Sequence, residues 1–101
     1  MGESQMDLFS ATSDERMIMR SRLESDSVQH AWYELALISI RGGFLIEKHS
    51  GSDIGGLNIE IWFRRSLDAA EKKYSQILHE KIKPDRKSPR KYHLVYSRAF
   101  A

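Results

Sequence analysis

Trp32-Tyr33-Glu34-Leu35-Ala36-Leu37-Ile38-Ser39-Ile40-Arg41-Gly42-Gly43-Phe44-Leu45-Ile46 is the stretch that decides the fold. Tyr33, Leu35 and Leu37 alternate onto one side of an extended chain, and Trp32, Ala36, Ile38 and Ile40 onto the other. Trp32 to Ile40 therefore reads as a strand with apolar groups on both faces, which suits a central position. Arg41-Gly42-Gly43 is a tight-turn signal, because glycine tolerates the positive φ angles of hairpin turns. Phe44 to His49 is the returning strand.

Upstream, Met17 to Leu23 reads as a short strand, and Glu24 to Ser27 as a loop whose short polar side chains compete for backbone hydrogen bonds. Downstream, Ser50 to Gly56 holds three glycines and reads as a loop. Beyond it Leu57, Ile59, Ile61 and Phe63 alternate with Asn58, Glu60, Trp62 and Arg64, which predicts a half-buried strand with the first set inward. Ser66 is placed to cap a helix, with Asp68 in its first turn where the helix dipole favours an anion. Leu67, Ala70, Tyr74, Ile77, Leu78 and Ile82 recur at helical spacing, and Pro84 ends the run. Tyr92 to Tyr96 is a last strand at the far edge, and it or Met17 to Leu23 offers an exposed edge. The order predicts an α+β domain over residues 16–97, an antiparallel sheet of four to five strands with one long helix packed on it. Residues 1–15, polar and without periodicity, read as a flexible tail. Tyr33, Leu35, Leu37, Ile46, Leu57, Ile59, Ile61 and Phe63 form the expected strand core, with Trp32 also inward, so Ile61→Asp is expected to unfold the domain.

Composition narrows the function. The chain of 101 residues has no cysteine, which removes disulfide scaffolds and thiolate zinc sites. Its longest apolar run, Leu35 to Ile38, is far short of the roughly 20 residues of a membrane-spanning helix. Met1 to Glu15 lacks a basic start followed by an apolar stretch, so a cytoplasmic protein without membrane contact is expected. The net charge of +2 hides an asymmetry. Residues 1–63 hold five basic against ten acidic side chains, and residues 64–101 hold eleven against four. Lys81 to Lys91 is the densest cationic stretch, and such a bias attracts polyanions.

Several of these segments, in order, resemble the WGR family. Arg22-Leu23-Glu24 ahead of Ala31-Trp32-Tyr33-Glu34-Leu35 is similar to its opening strand, loop and aromatic-Tyr-Glu-Leu strand. Gly43-Phe44-Leu45-Ile46 leads into a glycine-rich loop, as in the family. Phe63, then Ser66-Leu67-Asp68-Ala69-Ala70-Glu71-Lys72-Lys73-Tyr74 and Ile77-Leu78-His79-Glu80-Lys81, match its aromatic, helix cap, Ala pair and closing Lys. Lys87 to Val95 resembles the basic, Tyr-containing tail of the version in DNA-dependent poly(ADP-ribose) polymerases. At the place of the name-giving Trp-Gly-Arg, about His49 to Ser52, Gly51 alone corresponds. The resemblance implies a WGR-like fold in a stand-alone, bacterial-type module.

The residues point to nucleic-acid binding, DNA ahead of RNA, without catalysis. Lys81, Lys83, Arg86, Lys87, Arg90 and Lys91, joined by Arg64 and Arg65 at the base of the helix, are the candidate phosphate contacts. Trp62 is the candidate stacking surface for a base. The alternative is a protein–protein adaptor that docks an acidic partner or a second copy; a monomer is expected ahead of a homodimer. His49, Ser50 and Asp53 lie close in sequence, but nothing supplies the nucleophile elbow or oxyanion hole of a hydrolase. His30, His49, His79 and His93 lack paired metal-ligand spacing. No catalytic residue, metal or cofactor is expected.

Overall fold

The computed structural model describes residues 15–26, 30–82 and 92–100. The expected tail, Glu15 apart, and the candidate residues Lys83, Arg86, Lys87, Arg90 and Lys91 lie outside them. Five strands and one helix follow in the order β1 (Arg16–Ser25), β2 (Trp32–Ile40), β3 (Gly43–Gly51), β4 (Asn58–Arg64), α1 (Leu67–Ile82) and β5 (Tyr92–Ala99). They build one antiparallel sheet in the order β4-β3-β2-β1-β5, so β2 is central as its two apolar faces require. β1 is interior, and the edges are β4 and β5.

The β2–β3 turn uses its two glycines differently. Gly42 takes the positive φ, at 87°. Gly43 is needed for room, since a Cβ there would lie 2.6 Å from ring carbons of Phe63 and 2.7 Å from the Arg64 carbonyl oxygen. From Ile40↔Gly43 the β2–β3 register runs without a break to Trp32↔Gly51. Each of the other long pairings holds its irregularity on β1 or β5: Ile18 is skipped between Met17↔Ile38 and Met19↔Leu37, and Val95 between Arg22↔Tyr96 and Leu23↔Leu94.

α1 starts where the sequence places it. The Ser66 Oγ accepts from the Ala69 amide at 3.1 Å, and its carbonyl accepts from Ala70 at 3.0 Å. The helix lays Ala70, Tyr74 and Ile77 on Leu23, Leu35, Leu37 and Ile46, all buried. Fully burying each of these large aliphatic side chains contributes about 1.5–3 kcal/mol. At the centre of this layer sits a chain of hydroxyls. The Tyr74 Oη lies 2.5 Å from the Ser21 Oγ, which lies 2.8 Å from the Ser97 Oγ, and it also donates to the Leu35 carbonyl at 3.5 Å. Helix, β1, β2 and β5 are thereby joined by polar groups that have partners, buried at Ser21 and Tyr74 and exposed at Ser97.

β4 departs from expectation. Ile46 faces the helix and pairs with Trp62, so alternation turns Asn58, Glu60, Trp62 and Arg64 to the helix side. Ile59, Ile61 and Phe63 point to the opposite, uncovered face and are 52%, 56% and 47% exposed; Leu57 just before them is exposed as well. The expected inward set of this strand is therefore the outward one. Trp32 is half-buried on that same uncovered face, packed against Gly51 and beneath the Arg22 guanidinium, 5.2 Å from its ring. The expected consequence reverses for Ile61: Ile61→Asp keeps a cooperative melt close to the parent. Leu37→Ala, under the helix, lowers stability by about 2–5 kcal/mol. Urea unfolding followed by circular dichroism distinguishes the two.

Candidate nucleic-acid interface

The same alternation that exposes Ile61 builds a groove between α1 and β4. Its floor is the helix side of the β3–β4 ladder, where Lys48 is opposite Glu60 and Ser50 opposite Asn58. Lys73, Ile77 and Lys81 recur every four residues and so share one flank of the helix. The Lys73 Nζ sits 5.0 Å over the Trp62 ring. The Lys81 Nζ lies 4.5 Å from the Tyr33 ring centre and donates to the Tyr33 hydroxyl at 3.1 Å. Lys48 reaches the same ring at 5.0 Å and bonds Glu60 at 2.5 Å. That hydrogen bond, then the Lys48 charge and more distantly Lys81 and Lys73, holds the Glu60 carboxyl below its ordinary pKa. Three lysines from two elements thus converge about one carboxylate and two aromatic rings.

At the C-terminal end of α1 the groove opens into a cleft of about 260 Å³. Tyr33 and Tyr92 form one wall, with their rings edge-to-face at 4.7 Å, and Ser50, Ser52, Asn58 and the glycines of the 51–56 loop form the rest. Every lining group is neutral, and a turn closed by the Gly55 amide on the Ser52 Oγ at 2.9 Å shapes the loop. The chain leaves the helix at Ile82 and re-enters the sheet at Tyr92, beside this cleft. Five of the nine residues between them in sequence are cationic.

The candidate residues that are described divide between two places. Lys81 is at the cleft. Arg64 and Arg65 precede the helix N-terminus, about 24 Å away along a 16-residue helix. Arg65 is exposed, and Arg64 donates to the Phe63 carbonyl at 2.7 Å. They do not form one patch with Lys81. Trp62 lies between, half-buried, with Lys73 on its ring, so that face is not open to a base. Tyr33, Lys48 and Lys73 were not singled out from the sequence. The four-residue repeat of Lys73, Ile77 and Lys81 was the available signal for the last of these, and Lys48 breaks the apolar alternation that Phe44 and Ile46 begin.

The uncovered face is electrostatically different. Glu34 accepts from Arg20 at 2.8 Å and from Arg22 at 2.7 Å, and Arg22 also donates to Glu24 at 2.8 Å. Glu24 lies 3.0 Å from the His30 Nε2, whose pKa that contact raises. These β1 arginines are matched by the chain's own carboxylates. His49 shares this face, 3.1 Å from Glu47, whereas Ser50 follows it on the strand and projects to the helix side, so the two do not combine. Among the described residues no group of three His, Asp or Glu gathers to hold a metal, and no helix is long and apolar enough to cross a membrane.

No protein-family model, curated protein or solved structure matches this chain. The WGR likeness rests on the residues quoted for it.

The Glu34 network has a pH signature. Burial pushes the Glu34 carboxyl up, but hydrogen bonds and charge from Arg20 and Arg22 outweigh it, and the folded-state pKa is lowered. A depressed carboxylate contributes stability above its unfolded pKa, about 4.3, and loses it as pH falls through the folded value. The melting temperature is expected to drop between about pH 5 and pH 3. In Glu34→Gln that drop is smaller, read from thermal melts across the same range.

Proposed function

We propose that this protein is a non-catalytic nucleic-acid-binding module, DNA ahead of RNA, that seats a sugar–phosphate backbone along the groove between α1 and β4. The observation that carries this reading is the convergence of Lys48, Lys73 and Lys81 on a groove that ends in a neutral, amide-rich cleft. Lys81, one residue before the end of α1, and Tyr92, the first residue of β5, both lie at that cleft. Lysines supply phosphate affinity without reading sequence, and loop amides with serine hydroxyls are donors suited to phosphate oxygens. Tyr33 and Tyr92 offer apolar walls beside them.

Arg64 and Arg65 act as a second contact point. The roughly 24 Å between them and Lys81 corresponds to about seven steps of B-form duplex at 3.4 Å each, so one backbone can engage both ends of the groove. Trp62 contributes by holding Lys73 in place. The WGR resemblance points the same way, and the missing Trp and Arg of its motif fit a module that grips backbone without capping a broken end. An adaptor for an acidic protein would use the same cations and is the reading left if nucleic acid does not bind.

Fluorescence anisotropy with duplex, nicked and single-stranded DNA at two salt concentrations tests this. Affinity is expected to fall steeply with salt, with each lost duplex phosphate contact lowering the log–log slope by about 0.9. Lys81→Glu and the pair Lys87→Glu with Arg90→Glu weaken binding alike across sequences. Absence of binding to all three DNAs at low salt refutes the proposal.

A further inference from the structure

We infer that two copies of this chain pair antiparallel through β4, joining their sheets across a two-fold axis at Ile61. This rests on the edge strand alone and is independent of nucleic-acid binding. The Arg41-Gly42 turn makes Ile40 and Gly43 the hydrogen-bonded pair that closes the β2–β3 hairpin. Alternation from there directs the amides and carbonyls of Asn58, Glu60, Trp62 and Arg64 to β3 and those of Ile59, Ile61 and Phe63 away from the sheet. The Arg64 guanidinium bonded to the Phe63 carbonyl fits that assignment.

β4 also has little of the usual protection of an edge, since its charges, Glu60 and Arg64, lie on the helix side. It contains no proline, its pairing with β3 is unbroken from Phe44↔Arg64 to Ser50↔Asn58, and its outward side chains are Ile59, Ile61 and Phe63. The opposite edge, β5, is interrupted at Val95 and carries His93 and Arg98.

The strand is complementary to itself in one register. Centred on Ile61, Ile59 faces the second copy's Phe63 and Ile61 faces Ile61, so the outward amides and carbonyls of Ile59 and Ile61 and the Phe63 amide gain strand partners, while the Phe63 carbonyl exchanges its Arg64 guanidinium for the last rung. On the helix side Glu60 faces Trp62 and lies diagonal to the second copy's Arg64 on one side and to its Glu60 on the other. Sliding two residues one way sets Glu60 against Glu60, and sliding the other way takes Ile59 beyond the strand. A seven-residue ladder is small beside a standard interface, so the association is a weak one.

Sedimentation velocity of the full chain from about 1 to 500 µM is expected to show a monomer–dimer equilibrium within that range. Ile61→Lys sets two ammonium groups opposite each other on the axis and weakens the dimer more than tenfold. Since Ile61 is exposed on the uncovered face, its thermal melt stays that of the parent monomer. In a chain without cysteine, Ile61→Cys places two thiols on residues about 5.5 Å apart at Cα, within disulfide range, and mild oxidation yields a covalent dimer. Lys72→Cys, on the exposed side of the helix, does not. A single-chain mass at every concentration, an unchanged dimer in Ile61→Lys, or equal cross-linking at Lys72→Cys each overturns the inference.

Discussion

A helix about 10 Å across must cover a sheet whose five strands, about 4.8 Å apart, are together nearly twice as wide. Most of the molecule follows from how that mismatch is resolved. Tyr74 fixes the helix over the middle, its hydroxyl held by Ser21 and Leu35, and Ala70 lets the backbones approach closely. Leu23, Leu35, Leu37 and Ile46 beneath it are fully buried. Burial thins toward both edges, where β4 keeps half-buried Trp62 under a lysine stem and β5 is exposed for most of its length. The uncovered face has no such lid, and there the Arg20, Arg22, Glu24 and Glu34 network of β1 and β2 stands apart from Ile59, Ile61 and Phe63 of β4.

Local chemistry was legible at β2, its turn and α1, and less so at β1 and β5, which run on through Ser25 and Ala99 where the reading stopped at Leu23 and Tyr96. The two-faced β2, the glycine turn, the Ser66 cap and the helical stripe each correspond to a segment with matching bounds, since each depends on neighbours in sequence. The facing of β4 was not legible. An alternating pattern reveals a period of two, yet which member of the pair turns inward depends on how many residues the 52–57 loop spends before pairing resumes. The register Ile46↔Trp62 settles it, and the apolar members lose. On this edge strand the helix covers one side alone and Trp62 takes it, so Ile59, Ile61 and Phe63 are left on the uncovered side, and hydrophobicity alone misplaced the core.

Charge behaved in the same manner. Counting by halves of the chain set an acidic first part against a basic second, but folding mixes them. Arg20 and Arg22 are matched by Glu24 and Glu34 from their own half, while Lys48, from that acidic half, joins Lys73 and Lys81 of the helix around Tyr33 and Glu60. Arg64 and Arg65, adjacent to the helix in sequence, end up at its other end. Of the expected phosphate contacts that are described, Lys81 lies beside Tyr33, apart from Arg64 and Arg65.

The path of α1 brings β5 back to lie against β1, with Ala99 beside Met19 and the Phe100 amide on the Ile18 carbonyl at 2.8 Å. Where the chain enters at Arg16 and where it leaves at Phe100 are therefore neighbours at one corner of the sheet. Tension applied between those two points would not shear the β1–β5 ladder as a block. It would peel the rungs apart in succession from that corner, each bearing the load alone, so mechanically the fold opens like a zipper.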